Sequence, residues 1–394
     1  MRSTAFRLAA LPLVFCGILS VASAQTSNPI NVVTTAVPFL RISPDARAGG
    51  MGDLGVATSP DANSSFYNIG KTVFNESNGG IATTYTPWLK DLGLNDVFLA
   101  TLAGYYKFDE NQAISGGLRY FSLGNIQFTD YLGNDWGSAR PREFSIDFGY
   151  SRKLTDKFGL GVALRYINSN LTAGGVTNGS TTYKPGTAVA ADLGLYYNNH
   201  NDAGQGWSFG AALTNLGSKI SYTSNADQKD YIPANLALGA AYTRVIDESN
   251  KIMFGLDLNK LLVPTPPSTY DSAGLAAYRS KGVVSSWFSS FGDAPGGFSE
   301  ELKEVQVSLG AEYTYNNQFS VRAGYFYEDK TKGNRKYFTM GVGVKYNVFG
   351  LNFSYLLPSG NGVNRNPLSN TLRFTILFDL GNNQGSSSSS SDEQ

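Results

Sequence analysis

Apolar residues alternate with small or polar ones over most of this chain, and that period of two is what most limits its fold. Phe144, Ile146, Phe148 and Tyr150 are separated by Ser145, Asp147 and Gly149. Phe158, Leu160, Val162, Leu164 and Tyr166 alternate with Gly159, Gly161, Ala163 and Arg165. The pattern returns at Val305–Tyr313, at Phe338–Tyr346 and at Leu372–Phe378. Successive strand side chains point to opposite faces, so each run has one apolar face and one face of Gly, small and charged residues. A soluble sandwich would bury the apolar face and load the other with charge. Here the second face is largely Gly and Ala, and charged residues make up only 16% of the chain, against ~25% in soluble domains. A lipid-facing exterior around a partly filled lumen accounts for both. Runs of about ten residues also suit a tilted strand crossing a bilayer.

Fourteen such runs lie near 79–88, 95–108, 113–123, 142–153, 158–169, 187–198, 207–216, 232–246, 250–262, 302–315, 318–327, 335–347, 349–357 and 369–380. The connections between them alternate in length. Asp109–Gln112, Leu154–Lys157, Asp247–Ser249, Asn316-Asn317 and Val348 are tight, and Asn199–Gly206 is moderate. The others are mostly longer, at 124–141, 170–186, 217–231, 263–301 and 358–368, with 89–94 shorter than the rest. An even strand count with short turns at one end and long loops at the other is the pattern of bacterial outer-membrane barrels. The expectation is an all-β fold: a 14-stranded antiparallel transmembrane up-and-down β-barrel over residues 79–380. Tyrosines near run ends, including Tyr105, Tyr106, Tyr120, Tyr196, Tyr197, Tyr242, Tyr325 and Tyr327, fit aromatic girdles at the two interfaces.

Three segments stand outside the alternation. Arg2 and Arg7, the apolar stretch Leu8–Val21 and Ala22-Ser23-Ala24 read as a secretory signal peptide over 1–24. Cleavage there removes Cys16, the only cysteine, and with it any disulfide or thiolate metal site. Residues 25–78 contain Pro, Gly and Asn with little alternation, and could fill the lumen as an N-terminal hatch or plug. Residues 381–394, with Ser386–Ser391, read as a disordered tail. Formal net charge is zero, which favours no nucleic acid.

Few residues suggest chemistry. Gly50-Met51-Gly52-Asp53-Leu54-Gly55 matches GxGxxG, but no strand precedes it and no βαβ pattern follows, so a turn in the plug is expected rather than a dinucleotide site. His200 is the only histidine, which rules out a His-based metal cluster; it is expected in a solvated short connection. Inward positions carry both signs: Arg119, Asp147, Arg165, Asp192, Asp257, Glu312, Arg322, Lys345, Arg373 and Asp379. Buried charges survive when paired, so a lumen network anchoring the plug is expected over acid–base catalysis, with Arg41, Asp45, Arg47 and Asp53 as its plug-side partners. No catalytic residue, metal or cofactor is expected. The connection 263–301 carries Trp287, Phe288 and Phe291 among small polar residues. Exposed aromatics on a long extracellular loop mark a contact surface; folding back over the barrel mouth would instead bury them.

Thr35-Ala36-Val37-Pro38-Phe39-Leu40-Arg41-Ile42-Ser43-Pro44-Asp45-Ala46-Arg47-Ala48-Gly49-Gly50-Met51-Gly52-Asp53, continuing through Gly55–Ser64, resembles the start of the PorV (LptO) family. These are outer-membrane shuttle proteins of the type IX secretion system of Bacteroidetes. Length and strand pattern agree along the mature chain. The departure is local: Phe66-Tyr67-Asn68-Ile69-Gly70 stands where the family tends to show a Trp-Asn-Pro-Ala-like step. The resemblance implies a FadL-like barrel with an N-terminal hatch, integral to the outer membrane and non-enzymatic. It implies binding the C-terminal domain of secreted cargo at a SprA-type translocon and delivery to a PorU-type sortase, with PorQ and PorZ-like attachment proteins as partners. Two alternatives stay open. A FadL-like channel for hydrophobic small molecules needs an apolar pocket continuous with the lumen. An acyl hydrolase, the role behind the name LptO, needs His200 beside a serine at a lipid-accessible height.

Overall fold

A computed structural model describes residues 31–129, 132–172, 177–178, 181–224, 228–267, 272–358 and 370–381. The expected signal peptide, and all but the first residue of the expected tail, lie outside these residues.

Fourteen antiparallel strands close into one barrel. They are β1 Gly79–Pro87, β2 Val97–Asp109, β3 Gln112–Leu123, β4 Arg142–Lys153, β5 Phe158–Asn170, β6 Gly186–His200 and β7 Gly206–Gly217. The second half holds β8 Asn235–Val245, β9 Asn250–Leu261, β10 Gln306–Tyr315, β11 Phe319–Tyr327, β12 Lys336–Tyr346, β13 Phe349–Pro358 and β14 Leu372–Leu380. Each strand pairs with its neighbours in sequence, and β1 pairs with β14 from Gly79↔Leu380 to Tyr85↔Phe374. Closure leaves no strand edge unpaired, which a bilayer demands because it offers no water to exposed N–H and C=O groups.

The alternation sets inside and outside. On β5, Leu160, Val162 and Leu164 face out, Leu164 at 70% exposure, while Gly159, Gly161, Ala163 and Arg165 face in. Ile146 and Phe148 of β4, Phe254 and Leu256 of β9, and Phe338, Met340 and Val342 of β12 repeat this. The outer surface is thus a band of large apolar side chains that only lipid can cover favourably.

The fourteen observed strands match the expected runs apart from shifts of a few residues at their ends, two of which have a plain cause, and two tyrosines face differently. β8 starts at Asn235 because Pro233 carries no N–H for the ladder. β10 starts at Gln306 because Leu302–Glu304 coils into a 3-10 turn. Tyr105 and Tyr196 face the lumen rather than the girdle: Tyr105 hydroxyl donates to Ser77 carbonyl at 3.2 Å, and Tyr196 stacks edge-on against Phe74 at 5.4 Å. Adjacent tyrosines on a strand cannot share a face, so Tyr106 and Tyr197 point outward in their place.

Residues 31–78 run along the inward faces of the strands. They hold short 3-10 turns at Pro38–Arg41, Ser64–Phe66 and Ile69–Phe74 and one helical turn, α1, at Ala46–Gly49. Asp45 caps α1 by accepting from Ala48 N–H at 2.9 Å. The wall's inward glycines make room for this segment. A Cβ at Gly310 would come within 2.6 Å of Met51 carbonyl oxygen, and Gly324 of β11 is pressed against the Met51–Gly52 backbone. Gly52 itself has φ +70°, and a Cβ there would stand 2.7 Å from Tyr325 carbonyl oxygen, so both conformation and space require glycine. Phe39 and Leu40 join Leu99, Phe121, Ile167 and Ile232 in an apolar cluster toward the long-loop end.

The long connections carry structure of their own. Ile126–Thr129 pairs with Asp135–Ala139. Between β9 and β10 lie helices α2 Ser272–Ser280, α3 Val283–Ser289 and α4 Phe298–Glu301.

Candidate functional site

The long-loop mouth of the barrel gathers the features with chemical character. Its floor is the N-terminal segment. Asp257, inward on β9, accepts from the N–H groups of Gly55 and Val56 at 2.7 and 2.8 Å and holds the segment by its backbone. Arg47 forks onto Glu312 of β10, Nε to Oε2 at 3.0 Å and Nη2 to Oε1 at 2.8 Å, and also reaches Asp61 at 3.1 Å. Glu312 accepts in turn from Arg322 Nε at 2.6 Å. Asp53 accepts from Tyr337 hydroxyl at 2.6 Å and lies 3.5 Å from Arg373. Asp45 bonds within the segment, to Ala48 N–H and to Tyr67 hydroxyl at 2.7 Å. Arg41 donates to Gln306 at 2.6 Å. Of the four plug-side candidates, Arg47 and Asp53 therefore meet inward charges, Arg41 meets a neutral amide, and Asp45 shapes the segment itself.

The other inward charges sort by height. Asp147 and Asp192 flank Arg165, Asp192 at 2.9 Å, in a buried cluster on β4–β6. Lys345 and Asp379 pair at 2.6 Å near the short-turn rim, where Lys345 is half exposed. Lys71, in the segment, was not among the expected partners. Its Nζ donates to Gly55 carbonyl at 2.5 Å and Thr58 Oγ1 at 2.9 Å. Burial, partly offset by Asp61, pushes Lys71 down to about 8. A lone Lys in a non-alternating stretch gives no sequence signal of burial.

Above the floor is a cavity of about 120 Å³ with a mixed polar and apolar lining, next to a second of about 220 Å³ that shares Arg41, Gln306 and Arg335. Arg335 is neutralised by a two-pronged bond to Glu328 at 2.8 and 2.9 Å. Arg119 donates to Leu40 carbonyl at 2.6 Å and stacks on Phe66 at 4.5 Å. Among the described residues, neither Arg41 nor Arg119 forms an ion pair, although Arg47, Arg165, Arg322, Arg335 and Arg373 all do. Burial and the nearby Arg335, opposed by Glu328, push Arg41 down to about 10.

The connection from β9 to β10 rises over this mouth. Lys260 at the end of β9 holds Glu301 and Glu304 at 2.9 and 2.7 Å. Lys332, from the loop after β11, holds Glu300 and Glu304 at 2.6 and 2.9 Å. Lys219 Nζ donates to the carbonyls of Arg279 and Lys281, both at 2.6 Å. Trp287 is half-buried, whereas Phe288 is 74% exposed, Phe291 50% and Phe298 76%. The aromatics of this loop therefore mostly face solvent instead of packing over the mouth.

His200 ends β6 at the opposite, short-turn end, paired across the ladder with Gly206. Its Nε2 is buried without a partner among the described residues. The GxGxxG stretch follows α1 and lies against β11 and β12, with no βαβ unit around it.

A family model described as "Type IX secretion system protein PorV" matches residues 24–268, more than half of the chain. The chain belongs to the PorV family. A PorV-family barrel sits in the outer membrane of a Gram-negative cell and serves type IX secretion. No curated protein sequence matches the chain. Among solved structures, the toluene transporter TbuX of Ralstonia pickettii is similar at 13% identity and a TM-score of 0.53, over 85% of this chain and 97% of TbuX. The toluene transporter TodX of P. putida is similar at 13% identity and 0.50, over 86% and 99%. A FadL homologue of Pseudomonas aeruginosa stands at 11% and 0.48, over 89% and 99%. The first two show a shared barrel fold and no more, because identity at this level does not carry function.

Proposed function

We propose that this PorV-family chain is a docking and shuttle protein rather than a pore. It binds the C-terminal domain of secreted cargo at a SprA-type translocon and delivers it to a PorU-type sortase with PorQ and PorZ-like attachment proteins. The host is a Bacteroidetes-type cell. The family match over residues 24–268 carries this reading. Two features support it. Residues 31–78 lie against the inward faces of the strands and take up lumen space. Phe288, Phe291 and Phe298 present aromatic surface to solvent on a loop fastened to the barrel by ion pairs, as an interaction site requires.

The test is a pull-down of the tagged chain from detergent-solubilised outer membranes. Co-purification of a large translocon and of proteins sharing a C-terminal domain is expected. Loss of both, with toluene or long-chain fatty acid crossing vesicles that contain the purified protein, would replace the docking reading by a channel for hydrophobic molecules.

A further inference from the structure

Residues 31–42 and the rest of the N-terminal segment are held by different means. From Ala46 onward the backbone is bonded to the strands: Ala46 N–H to Thr375 Oγ1 and Gly52 N–H to Thr339 Oγ1, both at 2.8 Å, and Gly55 and Val56 to Asp257. Residues 31–42 are bonded mainly to loops. Asn31 N–H donates to Thr331 carbonyl at 3.1 Å, and Ala36 N–H to Tyr231 carbonyl at 2.9 Å. Tyr231 hydroxyl donates in turn to Lys281 carbonyl, between α2 and α3, at 2.9 Å, so Tyr231 links this stretch to the β9–β10 connection. Apolar packing of Val37, Phe39 and Leu40 keeps the stretch seated, but two features oppose it. Val37 has φ +49° and ψ +50°, a left-handed conformation that is strained for a β-branched residue and more so before Pro38. The other is Arg119. Gly117 pairs with Asp147 and Arg119 with Ser145, so Arg119 and Asp147 are diagonal neighbours on the inward faces of β3 and β4. Such positions lie about 7–8 Å apart, within reach of a long side chain. Arg119 turns instead to Leu40 carbonyl and the Phe66 ring. Arg119 Nε and Asp147 Oδ2 are both buried and unpartnered among the described residues, where buried polar groups are ordinarily bonded.

We propose that residues 31–42 are a displaceable strap: a partner engaging the β9–β10 loop draws it from the mouth, and Arg119 passes from Leu40 to Asp147 as it leaves. This rests on the docking function proposed above and says how docking reaches the lumen. On opening, Val37 loses its strain, and Arg119 Nε and Asp147 Oδ2 satisfy each other. Opening therefore costs less than the lost apolar contacts alone, while those contacts keep the strap shut without a partner. Arg41 leaves only a neutral amide, that of Gln306. Beyond Ser43 the segment stays anchored, Pro44 carbonyl by Thr101 Oγ1 at 2.9 Å and Arg47 by Glu312. The strap lines both cavities, Val32 and Val33 the larger, Leu40 and Ile42 the smaller. Its departure joins them and opens them toward the long loops.

The experiment is hydrogen exchange on the full chain in detergent, free and in the complex recovered by the pull-down, corrected for intrinsic rates. In the free chain the amides of 31–42 are expected to exchange faster than those of 52–56. Val37→Gly should slow exchange over 31–42 about threefold by removing the strain. Asp147→Asn should slow it about fivefold, because the open state loses its ion pair while the amide oxygen still serves Arg165. In an Arg119→Gln background the same substitution should change nothing. A merely structural Asp147 would instead speed exchange over 31–42 when replaced. Retained heat-modified mobility on gels shows that each variant still forms the barrel. In the complex, exchange over 31–42 is expected to quicken about tenfold. Faster exchange in Asp147→Asn, or equal rates over 31–42 and 52–56 in every variant, overturns the strap. Slower exchange over 31–42 in the complex overturns its displacement by a partner and leaves the docking function standing. Failure to recover a complex overturns the docking function and with it the trigger, while the free-chain variants still decide the Arg119 exchange.

Discussion

Arg47 of the N-terminal segment and Glu312 of β10 form a two-pronged ion pair inside the barrel, with bonds of 2.8 and 3.0 Å. The same carboxylate holds Arg322 at 2.6 Å. Glu312 is therefore the point at which the segment is charged onto the wall. Neutralising it leaves two buried guanidiniums short of a partner, whereas neutralising Arg47 still leaves the Glu312–Arg322 pair. Breaking a buried pair costs about 3–5 kcal/mol. Glu312→Gln is expected to expose the segment to trypsin at lower detergent and temperature than Arg47→Gln does. Equal protection of the segment in both variants would show that the pair does not hold it.

Inward glycines should discriminate sharply from outward ones. Gly324 touches the Met51–Gly52 backbone, and Gly310 has Met51 carbonyl oxygen where its Cβ would be. Overpacking of this kind costs about 1–3 kcal/mol. A Cβ at the outward Gly116 of β3 meets only Asp147 carbonyl oxygen at 3.7 Å, an ordinary contact. Gly324→Ala should lower the unfolding midpoint read by heat modifiability, and Gly116→Ala should leave it within error.

Substitutions on the β9–β10 loop should separate binding from stability. Phe288 and Phe298 are mostly exposed, so Phe288→Ala and Phe298→Ala are expected to change stability by less than about 0.5 kcal/mol. If the loop is the contact surface proposed, they reduce recovery of translocon and cargo several-fold in the pull-down. Trp287→Ala removes a half-buried ring and is expected to loosen α3 as well, read as increased protease cleavage within the loop.

Acid should release this loop. Burial alone would raise Glu300, but its bonds to Lys332 and to Gly296 N–H prevail and hold it below its ordinary 4.5. Burial alone would lower Lys332, but Glu300 and Glu304 prevail and hold it above 10.5. A depressed carboxylate contributes stability that is present above pH 4.5 and lost as pH falls through its folded value. A raised lysine contributes stability present below pH 10.5 and lost as pH rises through its folded value. Hydrogen exchange over 298–304 should therefore be slowest, after correction for intrinsic rates, between these limits and should quicken below pH 4.5. Protection unchanged at pH 3.5 would show that the ion pairs do not fasten the loop.

Strand positions were readable from sequence because each inward–outward alternation is local and needs no knowledge of the neighbour. Phe144–Tyr150 or Phe338–Tyr346 announces a strand by itself. Girdle assignment was weaker, since Tyr105-Tyr106 and Tyr196-Tyr197 give no clue to which member faces lipid until the register of the whole strand is set. The path of residues 31–78 was not readable. Met51 is placed by Gly310 and Gly324, and Val56 by Gly239, residues nearly two hundred or more positions away. Asp257 showed as an inward charge, but its bonds to the Gly55 and Val56 amides depend on a turn that no periodicity encodes. Lys71, and the clasp of Lys260 and Lys332 on Glu300, Glu301 and Glu304, were missed for the same reason: isolated charges look solvated until distant chain is laid over them.

The seam between β1 and β14 has a consequence for assembly. Residues 31–78 immediately precede β1, and β14 is the last strand, so the wall is completed only by joining the two ends of the chain. A barrel zipped shut before the segment was seated would have to admit it afterwards from the short-turn end, where β1 begins, into a lumen whose inward glycines already fit it closely. Seating the segment and sealing the seam are thus steps of one event. The segment's contacts with β10, β11 and β14 then act as a template that draws late-made strands toward the first.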